Sequence, residues 1–232
     1  MYRTALTILC SYVCLAIFVI PIVSTSLFKK TSNIPHIFAR QWARFTLTCS
    51  GSNVDVIGKE NIPAGPVIYM ANHSSYFDIL SILGHLDVQF RWIAKKELFN
   101  IPGLGTAMKG SGYIAIDRGN HEKALKSINM AAEKIRSGTS IFMFPEGKRS
   151  MDGVLRHPFK KGGFHLSLKS KAPIVPIAII GVRDILPKGR LIINQGNIKL
   201  VIGSPIYPEL HDLESLMEET FRSIKNASVL LG

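Results

Sequence analysis

Residues 72–78, NHSSYFD, carry the side chains best suited to chemistry, and they directly follow an apolar run. His73 and Asp78 offer an imidazole and a carboxylate five positions apart, the minimum equipment for a general base with an orienting partner. On an unbroken helix five residues turn through about 500°, which would leave the two side chains on different faces. We therefore predict that they meet across a strand-to-helix bend, with Ser74 or Ser75 as the N-cap of a helix that carries the carboxylate in its first turn.

The same segment also has a plainer interpretation. Ser75 and Asp78 match a capping box with the acid at its last position, and His73 would then be an ordinary loop residue. Because the chain has seven histidines, one chance pairing at this spacing is roughly a one-in-five event. The pair needs support from the rest of the chain.

Two further polar motifs follow apolar runs in the same way. They are the DR pair at 117–118 and the hexapeptide PEGKRS at 145–150. In α/β sheets ligands bind beyond the carboxyl ends of the strands, so these motifs are expected to converge on the histidine. Convergence would bring in Glu146 and two guanidinium groups, Arg118 and Arg149, whose planar forks suit phosphate oxygens. Taken singly, each motif is as well explained by a surface ion pair.

The elements that must position these motifs are short apolar runs separated by helical stretches and turn signals. This alternation predicts an α/β fold with a central, mostly parallel or mixed sheet flanked by helices. One apolar stripe, with Asn120 as the cap, predicts a helix over 121–136. A last helix is predicted over about 210–227. The predicted strands cover 54–57, 67–71, 90–94, 113–116, 141–144, 174–180, 191–193 and 198–202.

The N-terminal segment predicts a membrane anchor. Residues 5–28 are 24 positions without a charge, enough to cross about 30 Å of hydrocarbon as a helix. A signal peptide is the alternative, although the apolar stretch is longer than usual for one. Pro21 leaves open whether the helix spans the bilayer or enters one leaflet and returns. Only Arg3 precedes the stretch, whereas four cations follow it: Lys29, Lys30, Arg40 and Arg44. The positive-inside rule therefore places the rest of the chain in the cytoplasm.

Residues 34–48 predict an amphipathic helix with its arginines on one side. Such a helix either lies in the membrane interface or packs on the domain as an ordinary surface helix. The length of 232 residues suits one domain with a sizeable core. We therefore divide the chain into an anchor with an interfacial helix, residues 1–50, and a single domain, residues 51–232.

Composition narrows the possible partners. The formal charge of +12 suits anionic lipid, a phosphorylated substrate or nucleic acid, but no nucleic-acid-binding signature is present, so nucleic acid is not expected. No metal-ligand spacing is found, and neither a metal nor a cofactor is expected. The cysteines form no disulfide pattern and are interpreted as buried thiols: Cys10, Cys14 and Cys49.

With these residues in view, the chain resembles the membrane-bound glycerolipid acyltransferases, above all those that convert 1-acyl-sn-glycerol 3-phosphate to phosphatidate. The resemblance covers about residues 52–205, and the ordered match makes it specific. One departure is Lys148, where threonine is usual, which bears on the choice of acceptor. The matching blocks are NHxxxxD at 72–78, GYIAIDR at 112–118, FPEGKRS at 144–150 and IVPI at 174–177, with similar connecting segments at 95–102 and 159–164.

The resemblance implies a mechanism and a set of roles. His73, held by Asp78, would take the proton from the sn-2 hydroxyl of lysophosphatidate, which attacks an acyl thioester and expels CoA or acyl carrier protein. No acyl-enzyme is expected, which agrees with the absence of a G-x-S-x-G motif. The implied substrate-binding residues are Arg118 and Arg149 for the phosphate, Glu146 and Gly147 for the glycerol, and Pro176 for the pocket wall.

A positive rim around these blocks fits either partner of the reaction. Lys95 and Lys160, with their lysine and arginine neighbours, would attract a CoA-like donor or an acidic headgroup, and anionic membrane lipid explains them equally well. Three alternatives to the implied activity stay open. They are transfer to another acceptor, such as glycerol 3-phosphate or another lysophospholipid, a non-catalytic membrane protein that binds anionic lipid, and a thioester hydrolase.

Overall fold

A seven-stranded mixed sheet lies at the centre of the part of the chain that the structure, a computed structural model, describes: residues 2–28, 33–150, 152–186, 189 and 192–231. Inside these ranges the side chains of 2, 3, 14–16, 18, 19, 22, 23, 25–28 and 121 lie outside the description. The strands are β1 (Ser52–Ile57), β2 (Ile68–Ala71), β3 (Phe90–Lys95), β4 (Ile114–Ile116), β5 (Ser140–Met143), β6 (Ile174–Ile180) and β7 (Gly196–Ile202).

The strand order is β1-β7-β6-β2-β5-β3-β4, and every neighbouring pair is parallel except β6 with β7. The predicted α/β fold with a mixed sheet is thereby confirmed. The helices are α1 (Tyr2–Phe28), α2 (Ile34–Ser50), α3 (Phe77–His85), α4 (Leu104–Gly110), α5 (His121–Arg136), α6 (Gly162–Ser170), α7 (Val182–Ile185) and α8 (Leu213–Leu231), with 3₁₀ turns at Lys59–Asn61, Lys96–Asn100 and Pro208–Leu210.

The core lies on both faces of the sheet. Every residue of β2 and β5 is buried, as expected for central strands covered on both sides. On one face Tyr69 packs with Phe142 and with residues of α2 and α3. On the other face Met70 packs with Phe164 and with residues of α5, α6 and α8. The carboxyl end of β2 is thus enclosed by neighbouring strands and by helices, which keeps the residues that follow it in a defined position.

One predicted strand, 191–193, is wrong. Ile192 and Ile193 are not in a strand, and residue 191 lies outside the described ranges. The reason is a contact with the N-terminal helix, because the hydroxyl of Thr4 accepts the backbone N–H of Ile193 at 3.0 Å and donates to its carbonyl at 3.5 Å. A side chain 189 positions away therefore takes the backbone groups that a strand neighbour would use.

The N-terminal region is helical as predicted, and α1 packs against α2. Within the described ranges, no helix is long and apolar enough to cross a membrane. Membrane anchoring by residues 1–50 therefore stays a prediction, and Lys29 and Lys30, which were used to orient it, lie outside the description. The interpretation of the cysteines as buried thiols is wrong for Cys10 and Cys49, which are partly exposed free thiols, while the side chain of Cys14 is not described.

Helix α2 joins the N-terminal region to the domain. Ala43 and Leu47 lie in the core, whereas Ile34, Ile37 and Phe45 are 40%, 45% and 46% exposed. The helix therefore packs on the domain through one face and leaves several large apolar side chains uncovered on the other. Both interpretations of this helix, as an interfacial or a surface helix, remain compatible with that arrangement.

Candidate active site

His73 and Asp78 meet at the bend between β2 and α3. Residues 72–76, which we call the histidine turn, connect the last residue of β2 to the first turn of α3. Nδ1 of His73 lies 2.7 Å from Oδ2 of Asp78, whose side chain is fully buried, while the imidazole is 14% exposed. The strand-to-helix bend brings together two side chains that a continuous helix would have separated.

The Asp78 carboxylate is held in place by the turn itself. Besides the imidazole, Oδ2 accepts the backbone N–H groups of Ser74 at 2.6 Å and Ser75 at 2.8 Å. Because this oxygen acts only as an acceptor, Nδ1 of a neutral His73 must carry the ring proton. Nε2 is then the basic nitrogen that remains for a substrate hydroxyl.

The predicted N-cap is displaced by one residue. Tyr76 takes the N-cap position of α3 and makes no side-chain cap bond. The hydroxyl of Ser75 accepts the backbone N–H of Phe77 at 3.2 Å and donates to the carbonyl of Leu186 at 2.8 Å. Only the return bond of the predicted capping box is present, from the Ser75 N–H to Asp78, and the same oxygen of Asp78 also reaches His73.

Phe144 is a partner of His73 that the sequence did not reveal. The two rings stack with centroids 3.9 Å apart and planes 7° from parallel. The imidazole is thus fixed at its edge by a carboxylate and on its face by an aromatic ring. The only signal in the sequence is the position of Phe144 at the end of the SIFMF run, immediately before the PEGKRS motif.

Asn72 is a second residue that sequence reasoning left without a role. Its amide donates to the carbonyl of Ile179 at 2.8 Å and accepts the backbone N–H of the same residue at 2.7 Å. The side chain thereby continues the pairing of β2 with β6 beyond Ala71, the last paired residue of β2. This bond anchors the histidine turn to the neighbouring strand.

The Glu146 carboxyl lies behind the histidine and is 6% exposed. Oε1 accepts the backbone N–H of His73 at 2.7 Å, and Oε2 accepts that of Arg156 at 3.2 Å. Burial raises the pKa of Glu146 to about 7, the two backbone hydrogen bonds oppose that rise, and the nearby Asp78 charge adds to it. The PEGKRS motif therefore does converge on the histidine turn, through the direct contact of Glu146 with His73.

Arg118 reaches the same segment from the end of β4. Its guanidinium donates to the carbonyl of Gly147, and burial lowers the pKa of Arg118 from its usual value. Gly147 has φ of +75°, and a Cβ there would lie 3.3 Å from Cγ of Lys160, so glycine is favoured at this turn. Arg118 and Lys160 thus both lie close to Gly147, Arg118 through its guanidinium and Lys160 through the stem of its side chain.

Two further cationic side chains of the rim, Lys96 and Arg149, contact neighbouring residues. Lys96 donates to Asp117 at 2.7 Å, and this hydrogen bond holds the pKa of Asp117 below its usual value. The guanidinium carbon of Arg149 lies 3.7 Å from the ring centroid of Tyr76, which places the arginine beside the histidine turn. Lys148 is exposed.

Two further predicted residues contact other groups. Lys95, 54% exposed, forms an ion pair with Glu97 at 3.6 Å. Pro176 is buried inside β6, opposite Met70 in the sheet, and its carbonyl accepts the N–H of Gly203 at 2.9 Å. Pro176 therefore contributes to the sheet, and the residues actually gathered at the carboxyl end of β2 are His73, Asp78, Phe144, Glu146, Gly147, Arg118, Arg149 and Lys160.

The arrangement combines a histidine oriented as a base with several fixed cations. Among the residues described, no group of three or more His, Cys, Asp or Glu side chains could hold a metal ion. The chemistry that this cluster supports is removal of a proton from a hydroxyl next to an anionic group.

Comparison with known proteins finds a matching family model and several similar proteins. A family model described as Acyltransferase matches residues 53–180, which include the histidine turn and all of the cluster. A chloroplastic 1-acyl-sn-glycerol-3-phosphate acyltransferase, BAT2, of Brassica napus is 36% identical over 181 residues, 77% of this chain and 52% of that relative. The 1-acyl-sn-glycerol-3-phosphate acyltransferase of Saccharomyces cerevisiae is 34% identical over 161 residues, 68% of this chain and 53% of that relative. The chain thus spans about half the length of these curated relatives.

A solved structure matches over nearly the whole chain. The crystal structure of the 1-acyl-sn-glycerophosphate (LPA) acyltransferase PlsC from Thermotoga maritima superposes with a TM-score of 0.81 at 27% identity. The match covers 99% of this chain and 97% of that one. The N-terminal helices are therefore part of the shared architecture as well as the sheet.

Proposed function

The chain belongs to the acyltransferase family, and on that premise we propose that it transfers an acyl group from a thioester donor to the sn-2 hydroxyl of lysophosphatidate, forming phosphatidate. The observation that carries the proposal is the 2.7 Å contact between Nδ1 of His73 and the buried carboxylate of Asp78, with cationic side chains beside it. A base with a fixed tautomer, next to groups that attract phosphate, suits a hydroxyl acceptor that carries a phosphate. The named activities of the relatives support the same substrate class.

The reaction needs one proton relay and no covalent enzyme intermediate. Nε2 of His73 accepts the hydroxyl proton while the oxygen attacks the thioester carbonyl, so that a C–O bond forms. The tetrahedral intermediate then collapses, the C–S bond breaks, and the imidazolium returns the proton to the leaving thiolate. The charge of Asp78 and the face of Phe144 stabilise the imidazolium while it exists.

The cationic rim supplies the binding side of the proposal. Arg118, Arg149 and Lys160 hold the acceptor phosphate, and their positions around Gly147 and Tyr76 support this role. The exposed Lys148 adds a cation beside them. The donor is acyl-CoA or an acyl carrier protein, both of which are anionic and suited to a chain of net charge +12.

Location at a membrane is part of the proposal. Lysophosphatidate is held in a bilayer, so we assign membrane attachment to residues 1–50 and catalysis to residues 51–232 on the cytoplasmic side. The exposed apolar side chains of the N-terminal helices, among them Leu9, Tyr12 and Ile17, support attachment.

The test is an assay of the purified chain with lysophosphatidate and acyl-CoA, with the product identified by mass spectrometry. We expect phosphatidate from the unaltered protein and a loss of about 10²- to 10⁴-fold in rate for His73→Ala. His211→Ala is the matched control, because His211 also lies beside a carboxylate, with Nε2 3.3 Å from Glu219, yet it lies between the 3₁₀ turn Pro208–Leu210 and α8. Absence of phosphatidate, or an unchanged rate in His73→Ala, would overturn the proposal.

The same assay separates the alternatives. Replacing lysophosphatidate by glycerol 3-phosphate or another lysophospholipid shows whether a different acceptor is preferred. A hydrolase releases free CoA without an acceptor. A non-catalytic lipid-binding protein binds anionic vesicles but forms no acylated product with any of these acceptors.

A further inference from the structure

We infer that Glu146 is a positioning residue that holds the backbone of His73, and that it is not a ligand of the acceptor's glycerol. The inference rests on the proposed function for its kinetic consequences, but its geometric part concerns the chain alone. It departs from the role that family resemblance assigns to this glutamate.

Both carboxylate oxygens of Glu146 are already used by the chain. One accepts the N–H of His73 at 2.7 Å and the other accepts the N–H of Arg156 at 3.2 Å. The residue is only 6% exposed, so little of it can meet a ligand. A side chain that is buried and bonded in this way is suited to fixing the backbone, because breaking either bond leaves a partly buried N–H without its partner.

The reason for this carboxylate lies in the sheet register. The parallel ladder of β2 and β5 ends at the pair Met70–Met143, and three further steps along both strands bring His73 level with Glu146. Backbone pairing cannot continue to that point, because Pro145 has no N–H to donate. The side chain of Glu146 accepts the histidine N–H that a strand neighbour would otherwise have bonded.

The other side of the histidine turn is held in the same manner. The pairing of β2 with β6 ends at Ala71 and Ile177, and the amide of Asn72 then bonds the backbone of Ile179. Beyond the end of β2, the side chains of Asn72 and Glu146 make the hydrogen bonds to the neighbouring segments that backbone groups make inside the sheet. His73 therefore lies beyond the sheet, with its own N–H bonded to Glu146 after β5 and the preceding residue, Asn72, bonded to β6.

One segment after β5 controls three features of the histidine. Phe144 sets the plane of the ring, Glu146 bonds the backbone N–H, and the N–H of Ser150 donates to the carbonyl of His73 at 2.8 Å. Asp78 then orients the ring from its edge. Loss of the Glu146 bond is expected to change where the imidazole lies, without removing any group that contacts the acceptor.

The experiment compares Glu146→Gln and Glu146→Asp with the unaltered protein in steady-state kinetics. Glutamine has one acceptor oxygen and turns an NH₂ group toward the second N–H, and aspartate is too short to reach both. We expect kcat to fall by about 10- to 100-fold for Glu146→Gln and by less for Glu146→Asp, with the KM for lysophosphatidate within about twofold. Glu214→Gln is the control, since Glu214 is an exposed acid in the first turn of α8, and its kinetics are expected to match the unaltered protein.

Hydrogen exchange of the ligand-free proteins supplies a readout that does not depend on activity. We expect faster exchange in Glu146→Gln confined to peptides covering residues 72–78 and 156, with other peptides unchanged. A raised KM with unchanged kcat in either variant, or unchanged exchange at His73, would overturn the inference. Failure of the proposed function has a different signature, because the unaltered protein would then form no phosphatidate while the exchange difference persisted.

Discussion

The two ends of α3 are held by different chemistry. At the N-terminal end the fully buried Asp78 receives hydrogen bonds from His73 and from two backbone N–H groups, all between 2.6 and 2.8 Å. The two backbone N–H groups are buried and the imidazole is only 14% exposed, so these groups have little access to water if a partner is removed. The N-terminal end of the helix is thus a largely enclosed polar network.

At the C-terminal end the partners are the arginines of α2. Arg40 donates to the carbonyl of Val88 at 2.7 Å and to Asp87 at 2.6 Å, and Arg44 donates to the carbonyl of Gly84 at 2.7 Å. Asp87 is 65% exposed and Arg44 is 41% exposed, so water is close at hand. Guanidinium groups at this end also suit the negative end of the helix dipole.

This difference predicts where a substitution in α3 lowers activity or stability most. A buried group that loses its partner keeps the whole desolvation penalty, whereas an exposed group exchanges its partner for water. The N-terminal end should therefore tolerate almost no change. The C-terminal end should respond in small, graded steps.

The largest effect is expected from Asp78→Asn. The amide oxygen can take the place of Oδ2 and accept from the same three donors, but the amide carries no negative charge to stabilise the imidazolium. We expect kcat to fall by about 10²- to 10⁴-fold, measured as phosphatidate formation. Asp87→Asn at the opposite end of α3 is the control and should stay within about twofold of the unaltered rate. A rate above a tenth of normal in Asp78→Asn would contradict the comparison.

Next in size is the effect of Asn72→Asp on stability. An aspartate still accepts the N–H of Ile179 but turns its second oxygen toward the Ile179 carbonyl, where the amide had donated at 2.8 Å. We expect a loss of about 2–3 kcal/mol in the free energy of unfolding, measured by denaturant titration. Asn53→Asp, at an exposed position of β1 where the amide bonds Asn197 at 3.3 Å, should change little. Similar losses in both variants would mean that the histidine turn is not enclosed.

The pH dependence of stability tests the contribution of α2, the helix that contacts the C-terminal end of α3. His36 on α2 is fully buried, with Nδ1 3.1 Å from the Tyr113 hydroxyl. Burial, together with the charges of Arg91 and Arg40, lowers the pKa of His36 from 6.5 to about 3. Because the folded pKa lies below the unfolded one, the stabilising contribution is complete above pH 6.5 and is lost as the pH falls toward 3.

At pH 5 this loss amounts to about 2 kcal/mol relative to pH 7.5. The measurement is the difference in the pH dependence of unfolding free energy between the unaltered protein and His36→Phe, which lacks the titrating group. Glu146 changes stability in the opposite direction with pH, because its pKa of about 7 lies above its usual 4.5. Its contribution to the free energy of unfolding is therefore lost as the pH rises. It is present in both proteins and cancels in the difference. Identical slopes in the two proteins would show that His36 does not titrate on unfolding.

Features that are local in the sequence were predictable. Strand β6 and helix α5 have the predicted bounds, 174–180 and 121–136. In the first case the run is continuously apolar, and in the second Asn120 caps the helix by accepting the N–H of Lys123 at 2.9 Å. The meeting of His73 and Asp78 across a bend also required only their spacing and the end of a strand.

Features that depend on strand order were not predictable. Asn72 bonds a residue 107 positions away, and Glu146 bonds one 73 positions away, because β2 lies between β5 and β6. A pattern of apolar runs indicates strands but not which strands are neighbours. For the same reason Thr4 could not be foreseen to occupy the backbone of Ile193, and the predicted strand at 191–193 was wrong.

The smallest effects are expected from the arginines that hold the C-terminal end of α3. Arg40→Ala removes bonds to two backbone carbonyls and to Asp87 from a side chain that is 13% exposed, and we expect a loss of about 1 kcal/mol in unfolding free energy. Arg44→Ala should cost about 0.5 kcal/mol, because that side chain is 41% exposed and its carbonyl partner can bond water.

Neither arginine substitution should alter kcat by more than about twofold, since Asp78 is held by the histidine turn and not by α2. The measurement is phosphatidate formation and denaturant unfolding of the two variants and of Arg222→Ala, a control arginine paired with Glu218 on α8. A fall in kcat that parallels the loss of stability would show that α2 affects the Asp78 carboxylate through the length of α3. The two ends of the helix would then form one mechanical unit, and the N-terminal helices would control the position of Asp78.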